Sequence, residues 1–288
     1  MPNSSQTRWY KSGDTLLREI ETSPEIPGMV YIWFLGQLGF VIKLKGLVIY
    51  IDVLLTDLCD EHGRSLRVYP PPFPPEAINR IDYFLCTHNH ADHLNLETLL
   101  PLAKTNPHVR FIVPKPHVGI LTGAGIDTGR VTGAREGEDM DLSHGVTLQA
   151  VAAAHTEYAQ NEHGDYLCLG YVLKGDGISW YHAGDTLVTT RLVDTLKKLG
   201  SIDGAILPIN GSDWERTAAD IIGNLNVKDG VKLARALDTD LVIPAHYDMI
   251  RGNGENPALF TDYLYSLCPE KKHHVFALGE RYCYYREQ

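Results

Sequence analysis

Cysteine is scarce in this chain. The 288 residues hold five, Cys59, Cys86, Cys168, Cys268 and Cys283, with no CxxC pair. An odd, widely spaced set excludes a disulfide frame and a cysteine-based zinc site, and its apolar surroundings predict buried free thiols in a reducing compartment. Long hydrophobic runs are also missing. The longest, Met29 to Leu35, falls far short of the roughly 18 apolar residues that a membrane-spanning helix needs, so no membrane partner is expected. Positive charge is in deficit, with 26 Lys+Arg against 36 Asp+Glu and a net charge of −10. That balance argues against nucleic acid, whose phosphates call for a basic face. The opening residues MPNSSQTRWYKSGD carry no apolar leader segment, and a cytoplasmic location is expected.

What is present suffices for a folded α/β protein, because 44% apolar and 22% charged residues allow a full core. Short runs rich in Val, Ile, Leu and Tyr predict strands at Met29–Leu35, Phe40–Leu44, Leu47–Asp52, Tyr83–Thr87, Val109–Val113, Val146–Ala150, Leu167–Leu173, Ile178–Tyr181, Ala205–Ile209, Leu241–Pro244 and Val275–Leu278. Three- and four-residue apolar spacing predicts helices at Leu94–Lys104, Val188–Leu199, Val227–Leu237 and Pro257–Leu267. Asn95 and Asn226 are the expected N-caps and Gly200 the expected stop. Hairpins precede strand-helix alternation, and the same order restarts near Val146. That repetition predicts two similar halves whose sheets pack face to face within one domain spanning 1–288. The proline-rich segment between Leu54 and Arg80 lacks strand periodicity and reads as a long ordered loop.

The densest chemistry follows the run Tyr83–Thr87, as His88-Asn-His90-Ala-Asp92-His93. Three imidazoles and a carboxylate at a strand's end are costly to bury unpaired, and a metal ion removes that cost. Imidazole and carboxylate suit zinc, manganese or iron. His88 and His90 can reach one ion while Asp92 and His93 point to a second. Further donors follow other strands: His155, Asp185 in Tyr181-His-Ala-Gly-Asp185, and His246.

These elements, with Asp52 ending a strand, resemble the metallo-β-lactamase-fold hydrolases. The resemblance implies a four-layer αββα sandwich of two mixed sheets with outer helices, and two divalent metal ions. It implies His88, His90 and His155 at one ion, Asp92, His93 and His246 at the other, and Asp185 bridging. Asp52 is implied to stand behind the ligands and fix the histidine loop by hydrogen bonds. Trp33-Phe-Leu-Gly-Gln-Leu-Gly-Phe-Val-Ile42, Leu207-Pro-Ile-Asn-Gly211, Ile222-Gly-Asn-Leu-Asn226 and Ile243-Pro-Ala-His-Tyr-Asp248 are similar to the branch containing the L-ascorbate-6-phosphate lactonases. That branch implies a lactone-opening hydrolase, and it suggests a homo-oligomer.

The expected reaction is opening of a small anionic lactone of the sugar-acid phosphate class by water made acidic through metal coordination. Asp92 is expected to pass the proton to the leaving alkoxide. His182 is an acid or substrate contact, or else a structural hydrogen-bonding residue. Asn210, Arg216 and Tyr247 are the expected substrate contacts, since amides and a guanidinium suit sugar hydroxyls and anions. An acidic chain can still present a cationic groove once two divalent ions are bound. The alternatives are a phosphodiesterase of the same fold and a non-catalytic metal-binding or sensing module.

Overall fold

The computed structural model describes residues 8–218 and 221–286. Residues 1–7, part of the segment read above for a leader, lie outside them. The first half supplies strands β1 (Met29–Phe34), β2 (Phe40–Leu44), β3 (Leu47–Ile51), β4 (Tyr83–Leu85), β5 (Arg110–Pro114) and β6 (Val131–Ala134). The second supplies β7 (Asp139–Asp141), β8 (Thr147–Ala152), β9 (Leu169–Gly175), β10 (Ile178–His182), β11 (Gly204–Pro208), β12 (Leu241–Ala245) and β13 (Lys272–His273), before the chain returns to the first sheet as β14 (Arg281–Tyr285). The sheets run β14-β1-β2-β3-β4-β5-β6 and β13-β12-β11-β10-β9-β8-β7. Both are mixed and follow one plan. An antiparallel hairpin region, β1 to β3 or β8 to β10, leads into parallel strands joined by helices. The restart expected near Val146 is this repeated plan.

Strand alternation separates two apolar layers. In the second sheet Tyr171, Leu173, Trp180, Ile206 and Ile243 turn toward the first sheet and join Trp33, Ile49, Phe84 and Phe111 in one core. Their neighbours Val172, Tyr181, Ala205, Leu207 and Val242 turn the other way. There they meet α4 (Thr190–Lys198), α6 (Val227–Leu237) and α7 (Pro257–Leu267). Leu16 and Ile20 of α1 (Gly13–Thr22) and Leu99 and Leu102 of α2 (Leu96–Thr105) belong to the first cluster. The short α3 (Val118–Gly123) and α5 (Trp214–Ala218) complete the helices among the described residues.

The expected caps are formed. Asn95 accepts from Thr98 N at the head of α2, and Asn226 accepts from Asp229 N at the head of α6. Gly200 follows α4 in the left-handed region at φ +96°, where a helix stop favours glycine.

Some expectations need correction. Val275–Leu278 is not a strand: it crosses from β13 to β14, with Leu278 O accepting from Tyr10 N at 2.9 Å. Its apolar content serves burial instead, since the Phe276 ring packs 6.0 Å from Phe34 and 5.9 Å from Phe40. Not all cysteines are buried. All five are free, but Cys59 and Cys283 are exposed. Among the described residues no helix is long and apolar enough to cross a membrane.

Candidate metal centre

The C-terminal ends of strands from both sheets converge. Asp52 follows β3, the histidine motif follows β4, His155 follows β8, Asp185 follows β10 and His246 follows β12. This is the edge where open α/β sheets place ligands. The chain bends sharply to present these groups. Asp52 and His246 hold φ of +50° and +60°, as does Gln37 at +58°, a conformation that non-glycine residues adopt at a cost. Gly184, at φ +60°, is needed: a Cβ there would lie 2.7 Å from Leu169 O and 2.8 Å from Thr87 Cβ.

Three overlapping donor groups result, each able to hold a cation: His88, His90 and His155; His88, His93 and Asp185; and Asp92, His93 and His246. Asp185 lies between the outer two. Its Oδ1 is 3.6 Å from His93 Nε2, and its Oδ2 is 3.3 Å from His246 Nε2 and 3.7 Å from His155 Nε2. Asp92 Oδ2 is 3.6 Å from His93 Nε2 and 3.5 Å from His246 Nε2. The structure thus brings together all seven groups expected from sequence.

A relay behind the donors sets their tautomers. Asp52 accepts from Thr87 N at 2.8 Å, from the Thr87 hydroxyl at 2.6 Å and from His93 Nδ1 at 2.9 Å. With its proton given to Asp52, Thr87 Oγ1 accepts from His88 Nδ1 at 3.1 Å. Both imidazoles then turn a lone pair inward from Nε2. His88 Nε2, His93 Nε2 and Asp185 Oδ1 are buried without a hydrogen-bond partner. Three unpartnered acceptors facing one another are costly unless a cation lies between them. The donor set therefore fits a divalent ion.

Charge within the cluster tells the same story for the metal-free state. Burial alone would lower His93 and His246, yet the surrounding carboxylates lift His93 well above its ordinary value and His246 to about 9. Burial would raise Asp92 and Asp185, but His93 and His246 hold both below the usual carboxylate range. His155, where burial prevails, falls to about 4. Without a metal, protons on His93 and His246 supply the missing positive charge.

Other expected site residues sit elsewhere. His182 does not face the donors as an acid: its Nε2 donates to Leu38 O at 2.9 Å and its Nδ1 accepts from Gly184 N at 3.4 Å. Buried at the end of β10, it ties the two sheets together. Nor does Arg216 reach in. Its Nε donates to Asp213 at 2.6 Å and its Nη1 to Asn210 O at 2.7 Å. The Asn210 amide is spent on Asn253 and Asn224, and Tyr247 packs 6.2 Å from Phe34 in the outer core. Local partners satisfy the Arg216 guanidinium and the Asn210 amide first, and the Tyr247 ring is taken up in packing.

Sequence reading missed Gln37. Its Nε2 donates to Asp92 Oδ2 at 2.9 Å, its backbone N donates to Asp248 Oδ1 at 2.9 Å, and its carbonyl accepts from His246 N at 2.6 Å. A polar residue between Gly36 and Gly39 in an otherwise apolar hairpin was the available signal. Also missed was the wall of a cavity of about 260 Å³ beside the donors. It is lined by the donors His90, Asp92, Asp185 and His246, by Ala91 and Asn253, and by the aliphatic Leu58, Leu66, Ile221, Ile222 and Ile250.

The family described as "Beta-lactamase superfamily domain" matches residues 49–247, a span that holds Asp52 and all seven donors. The chain belongs to this superfamily. It is a metal-dependent hydrolase, as its family and curated relatives agree. It is 26% identical to a probable L-ascorbate-6-phosphate lactonase, UlaG, of Escherichia fergusonii, over 82% of this chain and 75% of that one. It is 23% identical to a UPF0173 metal-dependent hydrolase of Caldivirga maquilingensis, over 88% and 97%. Among solved structures, the metallo hydrolase Igni18 of Ignicoccus hospitalis superposes with a TM-score of 0.68 at 20% identity, covering 90% of this chain and all (100%) of that one. An isothiocyanate hydrolase from Delia radicum gut bacteria gives 0.67 at 17% identity, covering 88% and 99%. These last two establish the shared four-layer fold alone.

Proposed function

We propose that this hydrolase opens a small lactone, with His88, His90 and His155 holding one divalent ion, Asp92, His93 and His246 a second, and Asp185 shared between them. The observation that carries the proposal is the cluster of buried, unpartnered atoms, His88 Nε2, His93 Nε2 and Asp185 Oδ1, with a small cavity beside it that Asp185 helps to line. Similarity to the UlaG lactonases supports the lactone. Both halves of the chain supply donors, which supports residues 1–288 acting as one domain. Zinc and manganese suit these ligands best.

Bound divalent ions supply a Lewis acid for the carbonyl oxygen and bring the pKa of water from 15.7 to about 7. The chain's own residues do the rest. Asp52 and Thr87 keep His93 and His88 in the tautomer that leaves Nε2 free. Asp92, with 17% of its side chain exposed against 4% for Asp185, is the more open of the two carboxylates that line the cavity. It takes a proton from the attacking water and returns it to the ring oxygen as the acyl C–O bond breaks, so that a hydroxy acid leaves. Gln37 fixes the Asp92 carboxylate for that transfer.

Metal analysis of the purified protein, joined to a panel of lactones and phosphodiesters assayed with zinc or manganese, tests this. Lactone turnover dependent on bound metal is the expected result. Phosphodiester cleavage without lactone turnover would overturn it in favour of the phosphodiesterase, and full metal occupancy with no turnover would point to a binding module.

A further inference from the structure

We infer that the substrate is uncharged around its reacting ester and carries a short aliphatic substituent, which lies on the wall formed by Leu58, Leu66, Ile221, Ile222 and Ile250. The inference rests on the hydrolase reading above and names its substrate class. Beside the donors, the cavity of about 260 Å³ is lined by these aliphatic side chains and by one amide, Asn253, whose Oδ1 already accepts from Asn210 Nδ2 at 2.9 Å, and among the described residues no lysine or arginine lines it. Two neighbouring guanidinium groups are held by other partners. Arg67 follows Leu66 on an extended segment and points the other way, donating to the carbonyls of Leu54, Thr56 and Tyr69 at 3.0, 3.0 and 3.1 Å. Arg216 is tied to Asp213 and Asn210.

The wall is held by backbone. Leu66 N donates to Leu58 O at 2.7 Å and Arg251 N to Leu66 O at 2.8 Å, so Leu58, Leu66 and Ile250 keep their places. Leu66, Ile221 and Ile222 take no part in either hydrophobic core. Ile222 stays 37% exposed. Aliphatic groups left out of the core and facing a reactive cluster are the usual lining of a pocket that takes an apolar ligand part. A phosphate placed there would lose water and gain no cation from the wall.

The test uses the metal-loaded full chain with γ-butyrolactone, γ-hexalactone, γ-octalactone and 6-phosphogluconolactone. Each lactone consumes one water: oxygen adds to the carbonyl carbon, the ring C–O bond breaks, and the alkoxide takes the proton. Each added methylene should raise kcat/KM about threefold to fourfold until the cavity is filled, with the phosphorylated lactone poorest. Calorimetric binding of γ-butyrolactam and its butyl-substituted analogue, which report on the wall without turnover, should show the same preference for the tail. Leu66→Ser and Ile222→Ser should flatten both trends, and the exposure of Ile222 makes its substitution compatible with folding.

Lactone turnover with no dependence on the tail, or a preference for 6-phosphogluconolactone, would overturn the inference and leave the lactone reading standing. Binding of lactams that strengthens with the tail, without lactone turnover, would sustain the wall and overturn the lactone reading.

Discussion

Asp52 Oδ2 lies 2.9 Å from His93 Nδ1 and accepts from the Thr87 hydroxyl at 2.6 Å. One buried carboxylate thus sets the tautomers of two imidazoles, His93 directly and His88 through Thr87. Carboxylates placed behind histidine ligands raise ligand basicity and hold the ring, and losing one typically costs 10–100-fold in metal affinity or activity. Asp52→Asn should therefore weaken metal binding by about 10-fold or more. A chelator-competition titration reads this directly, and an unchanged affinity would remove Asp52 from the metal centre.

Gln37 makes a separate prediction. Its amide grips Asp92 at 2.9 Å from a backbone in the left-handed region. Asparagine tolerates that backbone better than most residues but is one methylene too short to keep the contact. Gln37→Asn should lower kcat roughly tenfold, as loss of a hydrogen bond to a charged group implies, with metal content unchanged. Loss of metal instead of kcat would make Gln37 a ligand support rather than a guide for Asp92.

Metal loading should release protons. Against burial, Asp185 and Asp92 raise His246 to about 9 in the metal-free protein, so at pH 7.5 an incoming cation displaces a proton. Calorimetry in buffers of different ionisation enthalpy measures that release, and affinity should tighten as pH rises toward 9. The same raised value makes protonated His246 a stabiliser of the metal-free fold. Its contribution is complete below about 6.5 and is lost as pH rises through about 9. The Tm of chelator-treated protein should fall across this window, while that of loaded protein stays level. Equal slopes for both forms would contradict the assignment.

Arg216 should matter to stability and not to substrate. Its guanidinium joins Asp213 to the Asn210 carbonyl, and Arg216→Gln should lower stability by about 1 kcal/mol with KM for lactones unaltered. A rise in KM of tenfold at constant Tm would restore Arg216 as a substrate contact.

The sequence by itself determined the layered fold and pointed to the seven residues that cluster at the sheet edge, because both are written in local patterns. Strand ends are visible as apolar runs meeting polar residues, and His88-x-His90-x-Asp92-His93 is contiguous. His155, Asp185 and His246 were legible for the same reason, since each directly follows a run of strand-forming residues. Capping at Asn95 and Asn226 is equally local. Only tertiary structure decided what faces what. His182, Asn210 and Arg216 stand in contexts like those of the donors, yet Leu38, Asn253 and Asp213 satisfy them first, and no one-dimensional pattern records which partner arrives. Gln37 enters the centre because the β1–β2 turn of one sheet meets the end of β12 of the other. The aliphatic wall joins residues from three loops, the first more than a hundred positions from the others, whose apolar character in sequence is indistinguishable from that of the core.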